Sequence, residues 1–262
     1  MAISQDHKQI LAAHSIEKNI NEWVAYFNNQ YTKNQIYSWC HRNGYSIAKI
    51  SKEEKSKIQS NNARKYHINE HFFKHWSNEM AYVLGLWWAD GCIYYNRMFD
   101  ITLHRKDKYI LKRIAELLQY EGPLSDYVDR QAARINFSCV TIYNDIVKLG
   151  GTERKSLTAI MPEVPDEYLS HFVRGYFDGD GSIWNVKGGR VNSEFCSGSK
   201  VFLERLLQIL KEKQIVQGGS IHLANASCFE LTFGNRDTLS LGRWMYIDDN
   251  NLFLLRKKER FY

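Results

Sequence analysis

No cysteine pair among the 262 residues stands in C-x-x-C spacing, and five cysteines, at 40, 92, 139, 196 and 228, is an odd number. A zinc cluster or a disulfide framework is therefore not expected, and reduced thiols are the default. No apolar run reaches the length of a membrane span. The first residues, Met1-Ala2-Ile3-Ser4-Gln5-Asp6, lack a basic stretch followed by an apolar one. The expectation is an intracellular protein with no membrane partner. Proline occurs only at 123, 162 and 165. What is present is a composition 44% hydrophobic and 14% aromatic, that of a globular protein with many strand-friendly residues. The length allows one large core or two modest domains.

The formal net charge of +6 is unevenly spread. Residues 1–78 hold 11 Lys/Arg against 6 Asp/Glu, and residues 79–262 hold 24 against 23. Six of the nine histidines also precede residue 79. A basic appendage on a near-neutral body suggests contact with a polyanion, although such a surplus also occurs in proteins that bind nothing charged.

Within that appendage, residues 16–27 place Ile16, Ile20, Trp23, Val24 and Phe27 on one helical face. Thr32-Lys33-Asn34-Gln35 has the form of a capping box, and the helix it opens runs to about Asn43 and stops at Gly44. The second helix exposes Lys33, Asn34, Ser38, His41 and Arg42. The pattern reads as a DNA-contacting helix-turn-helix over 1–47 or as an ordinary helical hairpin. Residues 48–77 form a basic linker or arm carrying Lys49, Lys52, Lys55, Lys57, Arg64 and Lys65, suited to tracking phosphates or to serving as a solvated tether.

From residue 78 the chain repeats itself, with a first copy over 78–161 and a second over 162–262. Each copy predicts helix, two strands, helix, two strands, helix. The first helices lie at 78–90 and about 166–180. Asp107-Lys108-Tyr109-Ile110-Leu111 aligns with Ser199-Lys200-Val201-Phe202-Leu203, each with an N-cap residue at its head. Arg134-Ile135-Asn136-Phe137 aligns with Glu230-Leu231-Thr232-Phe233. The expected fold class is α+β, two pseudo-symmetric αββαββα halves with antiparallel saddle-shaped sheets behind a small helical domain.

The first helix of each copy ends alike, in Val83-Leu84-Gly85-Leu86-Trp87-Trp88-Ala89-Asp90-Gly91 and Val173-Arg174-Gly175-Tyr176-Phe177-Asp178-Gly179-Asp180-Gly181. Gly85 with Ala89, and Gly175 with Gly179, leave a nearly bare stripe on each helix, so the two helices can pair and bring Asp90 and Asp180 together. Two carboxylates at helix C-termini repel each other and the helix dipoles. A hard divalent cation, Mg²⁺, resolves that conflict, with the carbonyls of Ala89 and Gly179 available as further ligands. Gly91 and Gly181 are expected to end the helices in the left-handed conformation.

These paired segments resemble the two motifs of LAGLIDADG homing endonucleases in their single-chain, two-motif form. The resemblance covers about 78–262. The second motif (Gly175, Asp178, Gly179, Asp180, Gly181) is the closer match, and the first departs by Trp88 where an acidic residue is common. The resemblance implies that the motif helices form a pseudo-twofold interface and that the last Asp of each motif binds Mg²⁺. It also implies sheets saddling double-stranded DNA in the major groove, with the strands cut across the minor groove to leave short 3′ overhangs. Amino-terminal helix-turn-helix additions fit the family as well. By the same resemblance Lys155 and Lys257, each following the last helix of its copy, would polarise the attacking water or stabilise the pentavalent phosphate; the alternative for both is surface charge. His104 would be a polar active-site residue, with Cys196 as its counterpart.

Base readout would come from polar residues alternating along the strands, with Asn96, Arg97, Arg130, Arg134, Asn185, Lys187, Arg190, Asn192, His222 and Asn225 as candidates. The expected activity is Mg²⁺-dependent, site-specific hydrolysis of DNA by a monomer with an internal pseudo-twofold. The alternatives are an intron maturase, with intron RNA as partner, and a non-cutting DNA-binding regulator on the same fold.

Overall fold

The computed structural model describes residues 3–51 and 66–262. Lys52, Lys55, Lys57, Arg64 and Lys65 of the basic arm lie outside the described residues. The chain divides into two units, Met1–Ala63 and Arg64–Tyr262, and the two expected halves share the second of these.

The described residues of the first unit form three helices, α1 (Gln5–His14), α2 (Ile20–Tyr26) and α3 (Lys33–Arg42). Leu11, Trp23, Phe27, Tyr31, Ile36 and Cys40 form its core, and the Trp23 ring nitrogen donates to the Ser15 carbonyl at 3.1 Å. α1 was not anticipated. α2 starts four residues later than the apolar spacing suggests, because Asn19 caps it: its side chain accepts from the Asn21 and Glu22 amides, and Glu22 accepts from the Asn19 amide. Ile16 therefore falls outside the helix and is 69% exposed. α3 opens with the expected capping box of Thr32 and Gln35 and ends before Gly44 at φ +76°. Lys33, Asn34, Ser38, His41 and Arg42 all lie on its exposed side, and Arg42 Nε donates to the Ser38 carbonyl at 3.0 Å.

In the second unit the expected order appears twice. The first half runs α4 (Asn78–Asp90), β1 (Gly91–Tyr94), β2 (Met98–His104), α5 (Lys108–Leu117), β3 (Ser125–Tyr127), β4 (Ala132–Ser138) and α6 (Val140–Lys148). The second runs α7 (Leu169–Asp180), β5 (Gly181–Val186), β6 (Arg190–Ser197), α8 (Lys200–Glu212), β7 (Ser220–Asn225), β8 (Cys228–Phe233) and α9 (Asn235–Tyr246). A short α10 (Leu255–Lys258) in the closing tail was not anticipated. The sheets are antiparallel with matching orders, β1-β2-β4-β3 and β5-β6-β8-β7. Period-2 alternation puts Ile93, Phe99, Ile101, Ile135 and, in the second sheet, Ile183, Phe195, Leu231 and Phe233 against the helices.

Strand register shifts one expected equivalence. Gly91 pairs with Ile101 and Gly181 with Phe195, so the counterpart of Cys196 is Thr102, not His104. A short 3-10 turn, Arg105–Asp107, gives the first half two extra residues after its second strand, which displaced the sequence alignment. The two N-caps differ too. Ser199 Oγ accepts from the Phe202 amide at 3.4 Å, whereas Asp107 makes no side-chain cap and binds Arg256 instead, with contacts of 2.8 to 3.2 Å.

α4 and α7 are buried along most of their length, residues 80–88 and 171–178 respectively. A helix enclosed on nearly all sides needs small residues where it meets its neighbour. A Cβ on Gly85 would lie 2.0 Å from the Phe172 carbonyl oxygen, and one on Gly175 would lie 2.1 Å from that of Tyr82. The backbones therefore touch at these two glycines, and no side-chain adjustment makes room for a larger residue.

Candidate active site at the paired helix ends

Asp90 and Asp180 are the last residues of α4 and α7. The bare stripe extends to them: a Cβ on Gly179 would meet Ala89 Cβ at 2.3 Å and Asp90 Oδ2 at 3.0 Å. The Asp90 carboxylate thus lies against the residue preceding Asp180. Burial, then the charge of Asp180, pushes the Asp90 carboxyl up to about 7. Burial also raises Asp180, opposed by Lys155 and Lys257.

The helix ends are not left-handed as expected. Gly91 has φ −104° and Gly181 φ −95°, because each already begins a strand. Glycine is needed there for space: a Cβ on Gly91 would be 2.2 Å from the Trp87 ring and one on Gly181 2.2 Å from the Phe177 ring.

Lys155 and Lys257 are both buried behind these ends. Lys155 Nζ donates to the Gly91 carbonyl and sits 4.7 Å from the centre of the Trp87 ring. Lys257 Nζ donates to the carbonyls of Phe177 (2.7 Å), Asp178 (2.6 Å) and Gly179 (3.1 Å), and sits 5.5 Å from the Phe177 ring. Burial pulls both lysines down to about 8, against the pull of the aspartates. Two acids and two bases, one of each from each half, therefore meet at one point. The Gly179 carbonyl, expected as a metal ligand, is already an acceptor for Lys257. A carbonyl oxygen has two lone pairs, so the candidate ligands are still the two carboxylates with the Ala89 and Gly179 carbonyls.

Several residues that hold this site had no role assigned from the sequence. Asp178 is buried and accepts from the Tyr82 hydroxyl and from the Leu254 amide, both at 2.8 Å. The latter bond fixes the residue before α10, which carries Lys257. Arg174, also buried, donates to the carbonyls of Met245 (2.7 Å), Asp248 (3.4 Å), Asp249 (3.2 Å) and Leu252 (2.8 Å). Arg256 clamps Asp107 of the first half, and the Tyr109 hydroxyl accepts from the Leu255 amide at 2.7 Å. The sequence signals for this apparatus were Arg174 and the motif residue Asp178, charged side chains inside a helix otherwise built for burial. In the first half Trp88 fills the position of Asp178, and its ring nitrogen donates to the Ile160 carbonyl at 3.2 Å.

His104 does not reach the helix ends. It lies exposed at the far end of β2, three residues past the position paired with Gly91, and its Nδ1 accepts from the Lys106 amide at 3.1 Å. Among the readout candidates, Arg134, Asn192 and His222 fall on the polar sheet faces, with Arg190 at the edge of the second. Arg134 is ion-paired with Asp100 and donates to the Tyr94 hydroxyl at 3.0 Å. Asn185 pairs with Val191 and so has the parity of the helix-facing side, opposite to Asn192. Asn96, Arg97, Arg130 and Lys187 occupy exposed turns between strands, and Asn225 ends β7.

Residues 167–226 match the family model described as a LAGLIDADG-like domain. No curated protein sequence matches the chain. Among solved structures, the homing endonuclease I-WcaI bound to its DNA recognition sequence is similar at 16% identity and TM-score 0.51, over 74% of this chain and 91% of that one. The LAGLIDADG meganuclease I-AabMI bound to uncleaved DNA follows at 13% identity and TM-score 0.47, covering 69% and 86% of the two chains. A variant of I-DmoI with its target DNA and manganese stands at 16% and 0.47, covering 67% and 97%. The match to a LAGLIDADG-like domain over residues 167–226 and the fold shared with I-WcaI agree with the paired motifs that end in Asp90 and Asp180.

Proposed function

We propose that the chain is a site-specific endonuclease that hydrolyses double-stranded DNA with Mg²⁺ or a similar divalent cation. The observation that carries this reading is the convergence of Asp90 and Asp180 at the adjoining ends of two buried helices, with Lys155 and Lys257 directly behind them. Two carboxylates pushed toward neutrality, Asp180 half-buried and Asp90 exposed at its helix end, need a cation to stay ionised, and their hard oxygens suit Mg²⁺. Bound there, the cation supplies positive charge to the scissile phosphate and acidifies water.

The protein's own groups do the rest. Asp90 and Asp180 orient the attacking water, whose oxygen bonds to phosphorus as the bond to the leaving sugar oxygen breaks. The departing oxygen takes up a proton, and the proton lost by the water goes to solvent. Lys155 and Lys257, buried and near pKa 8, stand within the field of both aspartates and stabilise charge that develops on the phosphate. The polar faces of the two sheets contact the duplex on either side of the cut, and the exposed side of α3 adds a third contact. One chain supplies both half-sites, so the active species is a monomer.

Incubation with a randomised DNA library and Mg²⁺, read by sequencing the ends, tests this reading. The expected result is a single enriched cleavage site with short overhangs. Selective binding of an RNA with no DNA ends produced would favour a maturase, and selective DNA binding without cleavage a regulator.

A further inference from the structure

The two sheets differ at equivalent positions on their polar faces. In the first, Asp100 is neutralised from within: Arg134 forms an ion pair with it, and Asn136 Nδ2 donates to it at 2.9 Å. The equivalent positions of the second sheet carry Glu194 for Asp100, Cys196 for Thr102, Glu230 for Arg134 and His222 for Ser125. The arginine has become a second carboxylate, and a thiol and an imidazole have joined it.

The second set converges. One carboxylate oxygen of Glu194, the Cys196 Sγ and one carboxylate oxygen of Glu230 lie within 4.8 Å of one another. His222 Nε2 lies 3.0 Å from Glu230 Oε2. The two glutamates and the cysteine are half-buried, and His222, beside Glu230, is exposed. Among the described residues no arginine or lysine forms an ion pair with Glu194 or Glu230, in contrast to Arg134 on Asp100.

We propose that Glu194, Cys196, His222 and Glu230 form a zinc site on the second sheet, separate from the paired helix ends. One sulfur, one nitrogen and two oxygens make a borderline-soft, four-donor set that suits Zn²⁺ and not Mg²⁺. Tetrahedral zinc with bonds of about 2.0 to 2.3 Å sets its donors roughly 3.3 to 3.8 Å apart, so the cluster closes by about 1 Å through rotation of the two glutamate side chains. Cys196 binds as thiolate and its proton passes to solvent; His222 binds as the neutral imidazole. The ligands come from β6, β7 and β8, which is why no C-x-x-C spacing announces them. The zinc takes the place that Arg134 holds in the first sheet.

Cobalt titration of the whole chain tests the site, because thiolate bound to Co²⁺ gives a charge-transfer absorption band that oxygen ligands do not. The band is expected in the unsubstituted protein, with displacement by Zn²⁺ and not by excess Mg²⁺. Cys196→Ser should remove it, and Glu230→Gln should weaken binding by more than about tenfold, the loss that follows removal of even an outer partner of a ligand. Cys228→Ser and the Asp90→Asn/Asp180→Asn pair should keep it, which separates this site from the cleavage centre. Absence of the band, or its survival in Cys196→Ser, overturns the proposal.

Discussion

The two motif helices share the glycine at their crossing, Gly85 and Gly175, and their terminal aspartates, yet at three equivalent positions they are opposites. α4 carries Ala81, Leu84 and Trp88 where α7 carries His171, Arg174 and Asp178, and all six are buried. The difference follows from what each helix must hold. Beside α7 lie the end of α9 and the segment that follows it to Leu254, where the carbonyls of Met245, Asp248, Asp249 and Leu252 accept from Arg174. Asp178 fixes the Leu254 amide, and His171 Nδ1 accepts from the Arg174 guanidinium at 2.9 Å. In the first half a single indole N–H, from Trp88, does the equivalent work on Ile160. A pseudo-symmetric pair can thus keep its contact surface and its chemistry alike while the supports behind them diverge.

The contact surface should be equally intolerant in both halves. Gly85→Val and Gly175→Val each drive side-chain atoms into a partner backbone carbonyl, and each should abolish cooperative unfolding of the second unit, measured by calorimetry. A folded Gly175→Val with a failed Gly85→Val would break the symmetry argued here.

The supports should not be equal. Arg174→Leu gives α7 the residue of α4 and leaves carbonyls unpaired, so it should lower stability by about 3 kcal/mol or more in a urea titration. The reciprocal loss has no counterpart in the first half. Lys257→Met removes three donated hydrogen bonds and Lys155→Met one, so the former should destabilise by about 2 kcal/mol and the latter by about 1 kcal/mol. Equal losses would contradict the asymmetry.

A smaller effect should appear with pH. Burial and the adjacent Arg174 hold His171 down at about 4, while the unfolded chain's imidazole titrates near about 6.5. Between those values the unfolded state binds a proton that the folded state does not, so the His171 contribution falls as pH drops through this window. Asp90, raised to about 7, and Asp178, raised to about 6, act in the opposite sense, because the folded state takes up their protons first. The readout is therefore a difference: between pH 6.5 and 4 the Tm of the unsubstituted protein should fall relative to that of His171→Asn. Parallel curves would remove His171 from the account.

The repeated order of helices and strands was legible because periodicity and caps are local properties. The glycine stripes showed where two backbones could meet, and the terminal aspartates followed. Lys155 and Lys257 were reached only through the family resemblance, since nothing local distinguishes a buried lysine from a surface one. Arg256 with Asp107, Tyr109 with the tail, and Arg174 with four carbonyls join residues far apart in sequence, and spacing carries no trace of such bonds. The equivalence of His104 with Cys196 failed on a two-residue turn that only strand register exposes. The α2 start was misplaced because Asn19 and Glu22 form a capping box inside the apolar spacing. Among the described residues no helix is long and apolar enough to cross a membrane.

The central claim is that Asp90 and Asp180 jointly cut DNA, one from each half. Its most direct test is a plasmid time course with Mg²⁺, carrying a target recovered from the library, for the unsubstituted protein, Asp90→Asn and Asp180→Asn. The account predicts linear product from the first, with nicked circles appearing on the way because the halves are supported differently. Both variants should bind the target and yield no linear DNA. Linear product from either variant at the unsubstituted rate would contradict it.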